Sequence, residues 1–199
     1  METSNPVAFP LEIASVVTDN SYISHHSAFE FYGLANQAFA DIYVSTPYRF
    51  REFVFDDRQY HCIKTDHSFG ITEQKMIRAT DLERTILDGI KDFDKIGGLE
   101  ELLRCLAMVT AVREDVLIQY LGLYNNYFLA QKTGYLLSFF PRMKLSEEFF
   151  NYCKVNKGNS YRYLYQDLKN EKCVFSKEWN LCISKNIMKL VDEGGEPLV

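Results

Sequence analysis

Residues 78–88 have the sequence RATDLERTILD, in which a pattern typical of a strand changes to one typical of a helix within four residues. Thr80 and Glu83 match the capping box, in which a hydroxyl accepts from the N3 amide and a carboxylate reaches back. The segment predicts a helix from Asp81 to about Asp92, with Arg84 and Asp88 four apart on one face. Its apolar positions are Leu82, Ile86, Leu87 and Ile90.

Strand patterns surround this corner on its N-terminal side. Residues 40–46, 50–55 and 59–65 are rich in β-branched and aromatic residues, and Asp56-Asp57-Arg58 has the composition of a hairpin turn. Residues 71–79 predict another strand, with 76–79 its stronger part. A short helix is expected after Pro10, and Ser24 is expected to cap a helix over 25–34 that ends near Gly33.

Helical patterns dominate on the C-terminal side. They cover 99–109, 112–123, 127–140 and 146–154, and short connections predict antiparallel neighbours. Residues 161–165, 173–175 and 179–184 are strand candidates. The fold class expected is α+β: a small β-sheet with flanking helices, then a helical subdomain and a short β-containing tail. The expected boundaries are 1–20 (N-terminal segment), 21–95 (sheet portion), 96–156 (helical portion), 157–191 (β-containing portion) and 192–199 (flexible tail).

Composition favours an ordinary folded protein. The chain has 199 residues, 47% hydrophobic and 15% aromatic, so it can bury a sizeable core. Its formal net charge is -5, and its densest basic stretch, 48–51, is followed by acidic residues. Nucleic-acid binding normally requires clustered Lys and Arg, so the overall charge argues against DNA as a partner.

Cysteine usage and the terminal sequences predict a cytoplasmic protein. The five cysteines form no CxxC pair, and we expect reduced, mostly buried thiols. The N-terminus lacks a secretory signal, and no apolar run is long enough to span a membrane.

An ordered set of segments resembles the AbiEi antitoxins of bacterial abortive-infection systems. Residues 22–34, YISHHSAFEFYGL, resemble the pattern Y-I-S-x-x-S-A-L-x-x-x-G-L, with Phe29 in place of leucine. Residues 78–88 resemble A-T-x-x-R-T-x-x-D, shifted in detail. Further matching segments are IYVST at 42–46, GGLEEL at 97–102, KTGYLL at 132–137 and KEWNL at 177–181.

The resemblance implies a non-catalytic antitoxin that opposes a nucleotidyltransferase-type toxin without a stable complex. Such antitoxins usually carry an N-terminal winged helix-turn-helix that represses their operon. Only some twenty residues precede the matching region here, too few for such a module (~60 residues). We therefore expect no specific operator binding, and the oligomeric state stays open.

Two kinds of metal chemistry are alternatives. Glu73-Gln74-Lys75 has the E-x-K form of restriction-type nucleases, in which two carboxylates hold Mg²⁺; the first acid would be Asp56, Asp57 or Asp66. His61 and His67 could ligate a metal. A solvated strand surface explains both patterns more simply, so we predict no catalytic, cofactor-binding or metal-binding residue.

Several other polar and aromatic residues are of types found at functional sites. Ser24 and Ser27 lie beside His25 and His26, but no nucleophile elbow surrounds them, and adjacent histidines lie on different helix faces. A DNA contact could use Arg49, Arg51 and Arg58. Four aromatic residues could stack on nucleic-acid bases, with positive charge from Arg162 and Lys169; they are Tyr161, Tyr163, Tyr165 and Trp179. We expect these aromatic residues to belong to the core instead.

Overall fold

The computed structural model describes residues 9–166 and 173–184, together with Leu168, Ile187 and Lys189. The expected tail at 192–199 and the stacking candidate Lys169 lie outside the described residues. Seven α-helices are present in this part: Pro10–Val16 (α1), His25–Phe31 (α2), Leu82–Lys91 (α3), Leu99–Met108 (α4), Glu114–Tyr124 (α5), Tyr127–Leu137 (α6) and Glu147–Asn156 (α7). The strands are Tyr22–Ile23 (β1), Asp41–Thr46 (β2), Phe53–Phe55 (β3), Arg58–Lys64 (β4), Ile71–Gln74 (β5), Ile77–Thr80 (β6), Arg162–Tyr163 (β7), Cys173–Ser176 (β8) and Leu181–Ser184 (β9).

Six strands form a mixed sheet in the order β3-β4-β2-β1-β6-β5. The β2–β4 and β1–β6 pairs are parallel, whereas β1–β2 and the two edge hairpins are antiparallel. The remaining strands form a three-stranded sheet in the order β7-β9-β8. The predicted α+β class is confirmed.

Strand β1 was not predicted, although it lies at the centre of the larger sheet. It has only two residues, Tyr22 and Ile23, which pair with Ser45 and Val44 on one side, and Ile23 also pairs with β6 on the other. A strand of two residues is too short to show the alternation of polar and apolar side chains that predicts strands. Their strand conformation comes from the neighbours on both sides.

The expected single strand over 71–79 is wrong. It is the β5–β6 hairpin, with its turn at Lys75 and Met76, both of which have positive φ. A two-residue turn of this kind normally contains Gly or Asn, so the sequence offered no turn signal. The hairpin at Asp56 and Asp57 was predicted correctly, and both residues again have positive φ.

A large apolar core lies among α2 to α7, built mainly from leucines, isoleucines and aromatic residues. A smaller one, including Ala14, Ile42 and Tyr60, lies between α1 and the sheet. Helix α3 borders the larger core with Ile86, Leu87 and Ile90, as its pattern predicts. No helix among the described residues is long and apolar enough to cross a membrane.

The expectation of five reduced cysteines is wrong for two of them. Cys173 and Cys182 form a disulfide between β8 and β9, and the free thiols are Cys62, Cys105 and Cys153. The two positions lie on neighbouring antiparallel strands with a Cα–Cα distance of 5.6 Å, which suits a disulfide. This pairing depends on strand register, which the cysteine spacing does not reveal.

Candidate functional site

Arg84 lies at the centre of a buried polar network. Helix α3 places it one turn before Asp88, and its Nε lies 3.4 Å from the Asp88 Oδ2. Arg84 is 1% exposed and Asp88 is 5% exposed. Burial opposes the charged guanidinium, but Asp88, Tyr22 and Tyr124 together outweigh it and raise the pKa of Arg84 above its ordinary value. The predicted i,i+4 pair is therefore present, and it is buried.

Two tyrosines complete this ion pair. The Arg84 Nη2 donates to the Tyr22 hydroxyl at 2.7 Å, and the Tyr124 hydroxyl donates to the Asp88 Oδ1 at 2.5 Å. Burial and the adjacent carboxylate raise the pKa of Tyr124, so it stays a donor. These contacts join β1, α3 and α5, which sequence reasoning did not bring together.

The segment 65–70 runs over Arg84, and we call it the covering loop. Arg84 Nη1 donates to the carbonyl oxygens of His67 and Phe69, and the Tyr22 hydroxyl donates to His67 O at 2.9 Å. Gly70 has φ +60°, and a Cβ there would lie 2.9 Å from the Tyr120 ring and 3.0 Å from the Arg84 Cβ. Glycine thus lets the loop approach the helix closely.

The start of α3 differs from the predicted capping box. Asp81, not Thr80, is the N-cap, and its carboxylate accepts from the Arg84 amide at 3.0 Å. Glu83 instead binds Arg113, which holds the pKa of this carboxyl below its usual range in spite of burial. Thr80 is the last residue of β6, and its hydroxyl bonds Thr85 Oγ1 at 2.7 Å. The β6 ladder extends one residue further than expected and shifts the cap by one.

His25 is buried in an unusual conformation beside this network. It is 2% exposed and has φ +53°, a region that non-glycine residues seldom occupy. Its Nδ1 is 2.7 Å from Ser24 Oγ, which in turn is 2.7 Å from Ser45 Oγ. Ser24 begins α2 as predicted, but its hydroxyl serves this chain and makes no capping hydrogen bond.

The other ring nitrogen of His25 faces a carboxylate. Its Nε2 lies 3.5 Å from Asp92 Oδ2 and makes no hydrogen bond within the described residues. Asp92 also contacts Lys91 and Lys95. Although burial works in the opposite direction, these cationic neighbours and His25 hold the pKa of Asp92 well below its usual range.

A cleft of about 310 Å³, here called the Arg84 cleft, is bordered by four of the side chains described above: His25, Arg84, Asp88 and Asp92. It lies beyond the C-terminal ends of the parallel strands β2 and β4, where α/β sheets commonly bind ligands. Its walls contain five basic and three acidic side chains: His25, Lys64, His67, Arg84 and Lys91, with Asp66, Asp88 and Asp92. Buried charges at an open cleft are typical of a functional surface.

The nuclease candidates are only partly brought together. Asp57 is in the β3–β4 turn at one edge of the sheet, whereas Glu73 and Lys75 belong to the hairpin at the other edge. Asp66 and Glu73 do line one further cleft of about 520 Å³, without Lys75. Among the described residues, no group of three His, Cys, Asp or Glu side chains could hold a metal.

The remaining candidates have other contacts. The His61 Nε2 lies 2.6 Å from Asp41 Oδ1 and its Nδ1 lies 3.3 Å from Glu52 Oε2, so both ring nitrogens face carboxylates. Arg58 donates to the Phe39 carbonyl, whereas Arg49 and Arg51 are exposed. Trp179 is 4% exposed, as predicted for a core residue, but Tyr161 is 50% exposed, so the core assignment is wrong for Tyr161.

Comparison with known proteins supports the fold and nothing finer. No family model and no curated protein matches this chain. The chain is similar to a solved structure of the RV2827C protein from Mycobacterium tuberculosis, with a TM-score of 0.61 and 12% identity. The match covers 92% of this chain and 69% of that one.

Proposed function

We propose that this protein is an antitoxin of the AbiEi kind, which opposes a nucleotidyltransferase-type toxin in the bacterial cytoplasm. One observation carries the proposal: the two longest segments of the resemblance meet in a single polar network. Tyr22 opens the first segment, and Arg84 and Asp88 belong to the second, yet they share one chain of hydrogen bonds and ion contacts. The resemblance therefore includes partners in one buried network as well as packing residues.

The proposed mode of action is through a surface and not through a reaction. Arg84 and Asp88 are held by protein partners, so they are poor candidates for attacking a substrate or for exchanging protons with one. They give the Arg84 cleft its shape and charge, while Lys64, Asp66 and Lys91 are exposed at it and available for contact. A transient contact of this kind fits opposition to a toxin without a stable complex.

Co-expression with the product of the adjacent gene tests the proposal, with cell growth as the readout. The triple variant Asp57→Ala, Glu73→Ala, Lys75→Ala removes the E-x-K candidate at exposed positions and should still rescue growth fully. The double variant Lys64→Glu, Lys91→Glu reverses charge at the Arg84 cleft and should lose rescue. Circular dichroism and a thermal melt must show that both variants fold.

The outcomes separate the alternatives. If the folded triple variant fails to rescue, the protein acts as an enzyme, and Mg²⁺-dependent cleavage by the wild type should then be sought. A salt-sensitive, sequence-specific gel shift with the upstream DNA at ~0.1 M salt, where charges are screened beyond ~10 Å, would instead support a DNA-binding regulator. Unchanged rescue by the Lys64/Lys91 variant would contradict a role for the Arg84 cleft.

A further inference from the structure

A third cleft, of about 890 Å³, lies next to the Arg84 cleft, with which it shares Lys91 and Asp92, and Lys132 forms part of its wall. The cleft lies between residues 91–94, which follow α3, and residues 160–166, which contain β7. Phe128 and Lys132 of α6 complete it, and we call it the Lys132 cleft. Its volume is in the range of small-molecule sites.

Lys132 is a buried amine with few partners. It is 5% exposed, and its Nζ donates to the Lys91 carbonyl at 2.8 Å. The Nζ lies 4.3 Å from the Phe93 ring centre and 5.1 Å from the Phe128 ring centre. No carboxylate oxygen of the described residues is within 4.0 Å of it in an ion pair. One carbonyl oxygen and two aromatic faces surround the Lys132 Nζ, in place of the water molecules that hydrate an exposed lysine.

Burial favours the neutral amine, whereas the carbonyl and the two aromatic faces favour the ammonium. Burial lowers the pKa of Lys132 to about 8, and Lys91 acts in the same direction, while the more distant Asp92 and Asp94 oppose it. Near neutral pH the neutral fraction is then roughly a hundredfold larger than for an exposed lysine, whose pKa is about 10.4. A lysine desolvated among apolar groups is a recognised form of activated nucleophile.

The same cleft contains the guanidinium group of Arg162. Arg162 is exposed, its guanidinium carbon lies 5.3 Å from the Phe128 ring centre, and it makes no ion pair with the described residues. Tyr161 and Tyr163 add aromatic surface on the same wall. An anionic group bound by Arg162 would place the rest of a small molecule inside the cleft that Lys132 faces.

We propose that the Lys132 cleft captures small anionic aldehydes as imines of Lys132, with Arg162 binding their anionic group. The neutral Nζ adds its lone pair to the carbonyl carbon and forms a carbinolamine. The carbonyl oxygen then leaves as water, taking protons from the amine and from solvent, and a C=N bond remains. No electrons enter or leave, so no redox partner is needed.

Pyridoxal 5′-phosphate is a suitable probe, because it is an aldehyde with a phosphate. Purified full-length protein is treated with a limiting amount, reduced with borohydride, and mapped by peptide mass spectrometry. We expect Lys132 to be labelled at least tenfold faster than the exposed Lys75 and Lys144. The toxin is absent from this assay, so its outcome is independent of the proposed antitoxin function.

The role of Arg162 has its own control. Arg162→Ala should slow labelling of Lys132 by the phosphorylated probe about tenfold and leave labelling by pyridoxal, which lacks the phosphate, unchanged. Arg142→Ala, at an exposed position outside the cleft, should change neither. Labelling spread over lysines in proportion to their exposure would overturn the proposal, as would a phosphate preference that survives Arg162→Ala.

Discussion

The Arg84 Nε lies 3.4 Å from the Asp88 Oδ2, and both side chains are almost fully buried. The sequence spacing predicts this pair on one helix face, and by itself it suggests a surface contact of small energetic value. Burial changes that expectation, because a buried charge that loses its partner remains desolvated.

We predict that Arg84→Met or Asp88→Ala alone lowers the free energy of unfolding by about 3–5 kcal/mol. Each change leaves one buried charge without its counterion. The double variant Arg84→Met, Asp88→Ala should cost clearly less than the sum of the two single changes, since it removes both charges together. Urea denaturation of the four proteins measures the coupling, and simple additivity would contradict it.

The cap of α3 gives a second prediction. Asp81→Ala should lower the free energy of unfolding by at least ~1 kcal/mol, because it removes the N-cap, leaves Tyr120 without its carboxylate acceptor and leaves Arg113 with Glu83 alone. Asp81→Ser should recover the capping part of this loss. If Asp81→Ser is as unstable as Asp81→Ala, the charge contacts and not the cap account for the effect.

Acid stability depends on His26. This ring is fully buried, and burial lowers the pKa of His26 although Glu101 lies 3.6 Å from its Nε2. Below pH ~6.5 the unfolded state therefore binds more protons than the folded state, and the free energy of unfolding falls as the pH decreases. Between pH 7.5 and 5.5 His26 should contribute a loss of up to about 1.4 kcal/mol.

Denaturant titrations at several pH values check this prediction. His26→Gln should flatten the slope between pH 5.5 and 7.5, whereas His61→Gln, at a half-exposed position, serves as the matched control. His67, whose pKa burial also lowers, should supply part of the slope that remains. An unchanged slope in His26→Gln would show that another group controls acid stability.

Gly134 of α6 provides a packing prediction. A Cβ at this position would lie 2.2 Å from the Trp179 ring and 2.9 Å from the Cys153 Cβ, so one of these groups must move. Gly134→Ala should therefore lower the free energy of unfolding by about 1–3 kcal/mol, although alanine favours helices over glycine. Gly122→Ala, whose Cβ would meet a tyrosine hydroxyl at 3.4 Å, is the control and should not destabilise. A stabilised Gly134→Ala variant would contradict this packing.

Local patterns predicted the fold class well. The strand-to-helix change over 78–88, the helix over 146–154 (α7) and the turn at Asp56 and Asp57 are each confirmed, since their signals lie within a few residues. The two-residue strand β1 and the hairpin turn at Lys75 and Met76 were not predicted. Their conformations depend on neighbouring strands that are distant in sequence.

The candidate site was less accessible to sequence reasoning. Arg84 and Asp88 were identified as a pair, but Tyr22, Tyr124 and Asp92 were not assigned to it. Tyr22 could have been singled out from the sequence, since it is the first residue of segment 22–34, which resembles the AbiEi pattern. For Tyr124 and Asp92 no pattern was present, because a single polar residue on a helix looks the same whether it faces solvent or a buried partner.

The sequence by itself determined where strand patterns change to helix patterns, because hydrophobic spacing acts over a few residues. It therefore determined the α+β class and the i,i+4 spacing of Arg84 and Asp88. Only the tertiary structure decided that this pair is buried under the covering loop, that His25 faces Asp92, and that Lys132 and Arg162 share a cleft. The desolvation of a charged group depends on every element that packs around it. Because desolvation shifts the pKa of such a group, it makes an ordinary charged residue a candidate for function.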